Sequence, residues 1–363
     1  MGGESKELDF KSLVDPSLWK DYETFIKGAD VRLEDDIRKS LDKRRELRKK
    51  LLSDPQLRGR IRPRKEELDK WRGLLKWAED ELFAGKVAAV DGTISNFPMV
   101  SGTRCRIGVV STSYKNNRIE KVLYVSEREL AEPSSSVMEH FEKLRTKHRI
   151  SNLLLRALMM YGERQLALNR PEKWKLVHGE LLPYELRTGL GVYRALPESL
   201  ELGRKLIEAK NVIAVVEDTS KLNLLNAGIV LERGEYMDAL GLKHDLENNY
   251  LPTAHFSRED EEVFKEFVKD YCDDIRIGVY RAGWKPYVFE AHKNVFDKAA
   301  ALVMKDSESQ PTRGFPLLID YADTICNGLL SGGEFQKQIM FKTAKISPDA
   351  LGFEMIARTT RRR

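Results

Sequence analysis

Lys86-Val87-Ala88-Ala89-Val90-Asp91-Gly92 is the point at which the chain changes character. Upstream, apolar residues recur at helical spacing. Here four apolar residues run together, the pattern of a short apolar strand, and it ends in an acid and a glycine. Two further strand-like runs come next, Thr103 to Thr112 and Ile119 to Ser126, separated by the turn residues Lys115-Asn116-Asn117. The short connections predict three consecutive antiparallel strands. A long helical region, Ser134 to Asn169, follows; its second part places Ile150, Leu153, Leu154, Ala157, Leu158 and Tyr161 at helical spacing, and Pro171 stops it. Then come the strand Trp174 to His178, a loop rich in Gly and Pro, a helix from about Pro197 to Ala209, and the apolar strand Val212 to Val216. Strand, helix, strand in that order asks for a right-handed crossover and a parallel pair.

Three meander strands, a helix, a strand, a helix and a strand is the element order of an RNase H-like core. The fold class expected is therefore α/β, a mixed sheet flanked by helices, with Trp174 to His178 lying parallel beside the first strand. The tail returns to hairpin character at Ile275 to Arg281 and Tyr287 to Ala291, with Ala282-Gly283 near the turn, and a last helix begins after Gly314-Phe315-Pro316. Working back toward the N-terminus, Val31 to Phe83 reads as helix, with Leu33, Ile37, Leu41, Leu47 and Leu51 amid charges and with Pro55 and Pro63 as breaks. A second amphipathic run, Glu66 to Leu82, carries Leu68, Trp71, Leu74, Leu75 and Ala78 on one side. The division expected is a helical N-terminal region, 1–84, and a main domain, 85–363. The N-terminal helices read as a hairpin packed on the domain or on a second copy. A basic arm touching DNA is the other reading, because Arg38 to Arg64 is crowded with Lys and Arg.

Composition narrows the function classes. The 363 residues are 41% hydrophobic and 33% charged, a globular balance, too apolar for a disordered chain. No run approaches the roughly 18 apolar residues of a membrane helix, and MGGESKELDF has neither a basic n-region nor an apolar h-region, so a cytoplasmic protein is expected. Cys105, Cys272 and Cys326 are far apart and odd in number, which argues against disulfides and a structural zinc site. The net charge of +5 is a mild bias toward polyanions.

Eight residues are candidates for chemistry or for holding the substrate. Asp91 sits where an apolar strand emerges, and Gly92 lets a ligand approach the backbone; an aspartate that merely starts a turn is the plainer alternative. Glu163 follows Met159 and Met160 and precedes Leu166 and Ala167, so it projects near the apolar face of its helix, where an acid needs a metal or a buried partner. Its alternative is a salt bridge to Arg164. His178 and Glu180 lie at the end of the fourth strand, on one face by its alternation, and both residue types bind Mn²⁺. Asp323 and Asp320 share one helix face, as metal ligands or as plain surface acids. Lys221, after the fifth strand, and Arg187 are cations placed to hold a phosphate, or exposed loop residues.

Val90-Asp91-Gly92-Thr93, Tyr161-Gly162-Glu163-Arg164-Gln165-Leu166-Ala167, Leu176-Val177-His178-Gly179-Glu180-Leu181 and Gly314-Phe315-Pro316-Leu317-Leu318-Ile319-Asp320-Tyr321-Ala322-Asp323 together resemble the successive motifs of the NurA nucleases, from about Lys86 to the C-terminus. The resemblance implies an RNase H-like fold, a homodimer, DNA cleavage dependent on manganese or magnesium, and partnership with the HerA hexameric translocase ATPase in end resection. It makes Asp91 the family's strand-one aspartate and Glu163 its helix glutamate. Two positions depart from the pattern: His178-Gly179-Glu180-Leu181 stands where the family has an Asp-Gly-Ser-Leu type motif, and Asp323 where the late motif usually ends in histidine. Glu180 in place of the missing aspartate would preserve the site. A weakened, DNA-binding partner of the ATPase is the alternative, and another RNase H-like nuclease, such as a transposase relative, is the third.

Overall fold

In the computed structural model the described residues are 16, 22–97, 99, 103–126, 152–189, 195–217, 224, 228–254, 256–329 and 332–352. The helical stretch expected over 134–151 and Lys221 lie outside them. The chain divides into two compact units at the Arg58–Gly59 junction. The first unit contains one long helix, α1 (Tyr22–Ser53), ended as expected just before Pro55. It is held by ion pairs one turn apart, Glu34 with Arg38 and Glu46 with Lys50, and it leaves Ile37, Leu41 and Leu47 exposed.

The second unit is built on one nine-stranded sheet. Its strands are β1 (Ile61–Arg62), β2 (Val87–Phe97), β3 (Arg104–Ser113), β4 (Ile119–Ser126), β5 (Trp174–His178), β6 (Val212–Val216), β7 (Tyr236–Gly241), β8 (Ile275–Tyr280) and β9 (Tyr287–His292), in the spatial order β1-β7-β8-β9-β6-β5-β2-β3-β4. The segment β4-β3-β2-β5-β6 is an RNase H-like core: an antiparallel meander continued by two strands parallel to β2. Antiparallel β9 then extends the sheet on the far side of β6. The longer helices of this unit are α2 (Leu68–Phe83), α3 (Asn152–Leu168), α4 (Leu196–Ala209), α5 (Arg258–Tyr271), α6 (Phe296–Glu308), α7 (Leu317–Leu329) and α8 (Gly332–Ile346).

Strand alternation divides the core between two faces. Val87 and Ala89 of β2, Trp174 and Leu176 of β5, Ile213 and Val215 of β6, and Phe289 and Ala291 of β9 belong to one apolar cluster with Trp71, Ala78 and Leu82 of α2, Ala299 to Met304 of α6 and Leu318 of α7. Helices α3 and α4 cover the opposite face, so the parallel strands are apolar at nearly every position, as their sequences predict. Helix α2 lies within this second unit, packed on α6: Lys298 stands over the Trp77 ring and Lys305 pairs with Glu79 at 3.5 Å.

One boundary differs from expectation in a way that matters. Strand β2 does not end at Asp91; it continues to Phe97, because Gly92 to Phe97 keep pairing with β3 down to Phe97↔Arg104. What ends there is the parallel partnership: the last pair with β5 is Val90↔Val177. Asp91 is thus paired on one side and opens on the other.

Candidate active site

Register places the first groups. Val90↔Val177 makes Asp91 and His178 the next neighbours across β2 and β5, and His178 pairs with Val215 of β6. Asp91, His178 and Glu217 therefore follow Ala89, Leu176 and Val215 on the same face, at the carboxyl ends of three parallel strands, where α/β sheets commonly bind ligands. Asp91 is buried. Its Oδ1 accepts from the Gly92 amide at 2.8 Å and lies 3.2 Å from Nδ1 of His178. The other imidazole nitrogen, Nε2, is 3.8 Å from Oε2 of Glu217. Burial opposes protonation of His178, but the hydrogen bond and charge of Asp91, with Glu163 and Glu217, outweigh it and raise its pKa.

Glu163 arrives from α3, on the other face of the sheet, and reaches past Gly92. A β-carbon on Gly92 would come within 2.6 Å of Oε1 of Glu163, so the bare backbone is what admits the carboxylate. Only 2% of Glu163 is exposed. Its companion, Arg164, is wholly buried; Nη1 bonds the Glu163 carboxylate, while Nη2 donates to the carbonyls of His178 at 2.8 Å and Glu180 at 2.5 Å. One guanidinium thus joins the helix acid to the end of β5. Burial pushes Glu163 up to about 7 despite the charge of Arg164, and the nearby Asp91 carboxylate adds to the rise.

Helix α7 brings a second set of acids to the same face. Burial, and then the negative charge of Asp91, raise the pKa of Asp323, whose Oδ1 accepts from Asn327 at 2.8 Å. Asp320, one turn earlier, is bound by Gln310 at 2.6 Å and Arg313 at 2.8 Å. Arg313 also donates to Glu217 at 2.7 Å and stacks over Phe315, whose ring lies 5.7 Å from that of His178.

Asp91 and His178 are thus in contact, and Glu163 and Asp323, from two further elements, lie within electrostatic reach of both. Gly179, at φ +81°, ends the alternation of β5, so Glu180 does not share the face of His178 as expected; its Oε2 accepts from Arg187 at 2.6 Å. Arg187 itself is buried and lies over the ring of Tyr250 at 4.6 Å. The Glu163–Arg164 pair was among the sequence alternatives; sequence reasoning missed Glu217 and the bonds from Arg164 to the carbonyls of His178 and Glu180. For Glu217 the signal was available: it continues the alternation of Ile213 and Val215 past the end of β6.

Among the described residues, no three His, Cys, Asp or Glu side chains stand together as ligands of a single ion. The donor chemistry nonetheless suits a hard divalent cation. Asp91 raises the pKa of both Glu163 and Asp323, a concentration of negative charge that Arg164 offsets only at Glu163, and the donors are carboxylate oxygens with one imidazole.

Strand order and an acidic edge of this kind define an RNase H-like α/β protein. Among solved structures, the chain is similar to the NurA nuclease from Sulfolobus solfataricus, with 13% identity over 77% of this chain and 94% of that one, at a TM-score of 0.46. It is similar also to NurA with manganese (11% identity, 72% and 95% covered, TM-score 0.43) and to endonuclease V from Bacillus subtilis (11%, 76% and 95%, 0.34). Neither a protein-family model nor a curated protein sequence matches the chain.

Proposed function

We propose that this chain is a divalent-metal-dependent deoxyribonuclease that hydrolyses phosphodiester bonds at the edge where β2, β5 and α7 meet. The observation that carries the reading is the contact of Asp91 with His178 at the carboxyl end of parallel strands, with the acids Glu163 and Asp323, from distant parts of the sequence, within electrostatic reach of Asp91. Asp91, Glu163 and Asp323 would supply the carboxylates for Mn²⁺ or Mg²⁺, two at most to any one ion with water filling the other positions, and with His178 alongside. Such a cation, when bound, activates water and steadies the leaving oxygen. Asp91 fixes the imidazole through Nδ1, which turns Nε2 toward Glu217 and leaves it able to hold a proton for a phosphate oxygen. Arg164 keeps the Glu163 carboxylate oriented beside β5.

A nuclease assay on linear DNA with and without Mn²⁺ tests this. Asp91→Asn retains shape but removes a ligand charge, so cleavage should fall by at least about 100-fold while DNA binding persists; Glu163→Gln should do the same. An Asp91→Asn protein that cuts at the unsubstituted rate would sink the assignment. The tie between Glu163 and Arg164 favours a second reading, a catalytically weakened DNA-binding protein, because an internal cation already offsets the charge of a carboxylate that a metal would use. No cleavage in Mn²⁺ by the unsubstituted protein, with DNA binding intact, would favour it. Assembly as a homodimer on a ring-shaped HerA-type ATPase is part of the proposal; its support is the motif resemblance and the exposed apolar residues of α1.

A further inference from the structure

The turn between β8 and β9, residues 281–286, carries Trp284 with 77% of its surface exposed. A large aromatic held in solvent forgoes burial that the other described tryptophans obtain, so its placement asks for a use. The turn is fixed rather than free-hanging. Gly283 meets the loop before α7 backbone to backbone: a β-carbon there would stand 2.7 Å from the Pro311 carbonyl and 2.8 Å from Cα of Gly314. Gly314 is itself at φ +74° and would place a β-carbon 2.5 Å from the Gly283 nitrogen. Neither position admits another residue without moving the turn.

That contact seats the turn beside the acidic edge. Lys285, next in sequence, donates to the Glu217 carbonyl at 3.1 Å, and the Glu217 side chain faces His178 and Arg313. Cations gather at the same turn: Arg281, Lys285, Arg313, and Arg233, which donates to the Ala282 carbonyl at 2.8 Å. Glu217 and Asp320 are the acids that meet Arg313. An exposed tryptophan on a turn that carries or meets four cations, at the rim of a candidate phosphodiester site, matches the chemistry of a single nucleic-acid strand, whose bases stack and whose phosphates pair with Lys and Arg.

We infer that Trp284 is a stacking platform for an unpaired base of a single DNA strand, with the cations of its turn holding the flanking phosphates. The inference rests on the nuclease reading for the identity of the nucleic acid, and deepens it by specifying an unpaired strand at the rim. Tryptophan emission is the natural probe. In Asp91→Asn protein with EDTA present, so that nothing is cut, a 20-nucleotide oligo(dT) should quench it. Trp284→Ala should remove most of that quench and weaken binding about tenfold, whereas Trp284→Phe should keep binding within about threefold, since stacking needs a ring and not the indole nitrogen. Because the side chain is exposed, its loss leaves the fold intact. Binding that is unchanged in Trp284→Ala, or no binding of oligo(dT) by the Asp91→Asn protein, overturns the inference. The nuclease reading fails separately: if unsubstituted protein cuts no DNA in Mn²⁺ while Trp284 still governs oligo(dT) binding, the platform stands and the catalysis does not.

Discussion

Glu163 sets how the site responds to pH. Its pKa is raised from an ordinary carboxylate value to about 7, by burial against the opposing charge of Arg164, with Asp91 adding to the rise. A raised acid favours its neutral form in the fold, so ionising it costs stability progressively as pH climbs from the unfolded value to about 7. A cation requires the opposite form. Mn²⁺ affinity should therefore drop as pH falls below 7, by up to about tenfold per pH unit, and binding near neutrality should release part of a proton. Calorimetry in buffers of different ionisation enthalpy measures both, and Glu163→Gln should abolish the proton release. Equal affinity at pH 6 and pH 8 would count against Glu163 as a ligand. The burial of Asp91 and Glu163 could be read from sequence because each is an acid beside apolar residues. Arg164 could not be placed in the same way: its partners are the carbonyls of His178 and Glu180, and backbone carbonyls leave no trace in side-chain identity.

Helix α3 approaches β2 as closely as it does because of Gly92. A methyl group there would stand 2.6 Å from Oε1 of Glu163, 2.7 Å from Cγ of Met159 and 3.2 Å from the Gly108 carbonyl, and the last of these cannot swing away. Gly92→Ala should cost about 1–3 kcal/mol and shift the urea midpoint down, with loss of Mn²⁺ binding. Gly73→Ala is the control: Gly73 lies in α2 with nothing within 4 Å of its would-be β-carbon, so the same change should be neutral or stabilising by about 0.5–1 kcal/mol. A Gly92→Ala protein as stable as the control would show that the helix has room to spare. Element reading succeeded where periodicity was strong; β5 and β6 lie at the expected residues, and α4 starts one residue early. It stopped β2 too soon because Asp-Gly reads locally as a turn, whereas here the partner strand β3 carries the ladder on to Phe97.

Across the whole molecule, the order of the RNase H-like half was readable because its elements alternate cleanly. The far half was readable only in part: the β8–β9 hairpin shows as a pair of apolar runs, but β1 has two residues and earns its identity from pairing with β7, some 175 positions away. Assembly belongs to this scale as well. Ile37, Leu41 and Leu47 remain exposed on α1, and a homodimer should give twice the chain mass by light scattering at micromolar concentration and co-purify with a co-expressed HerA-type ATPase. A stable monomer that does not bind the ATPase would remove that part of the reading. The packing of α2 on α6 also bears on how the protein is made. Helix α2 ends at Phe83, yet the helix that covers it begins only at Phe296. At typical translation rates its apolar side, with Trp71 and Leu82, waits roughly 10–45 s for that partner, long enough for a nascent chain to need a chaperone's shelter.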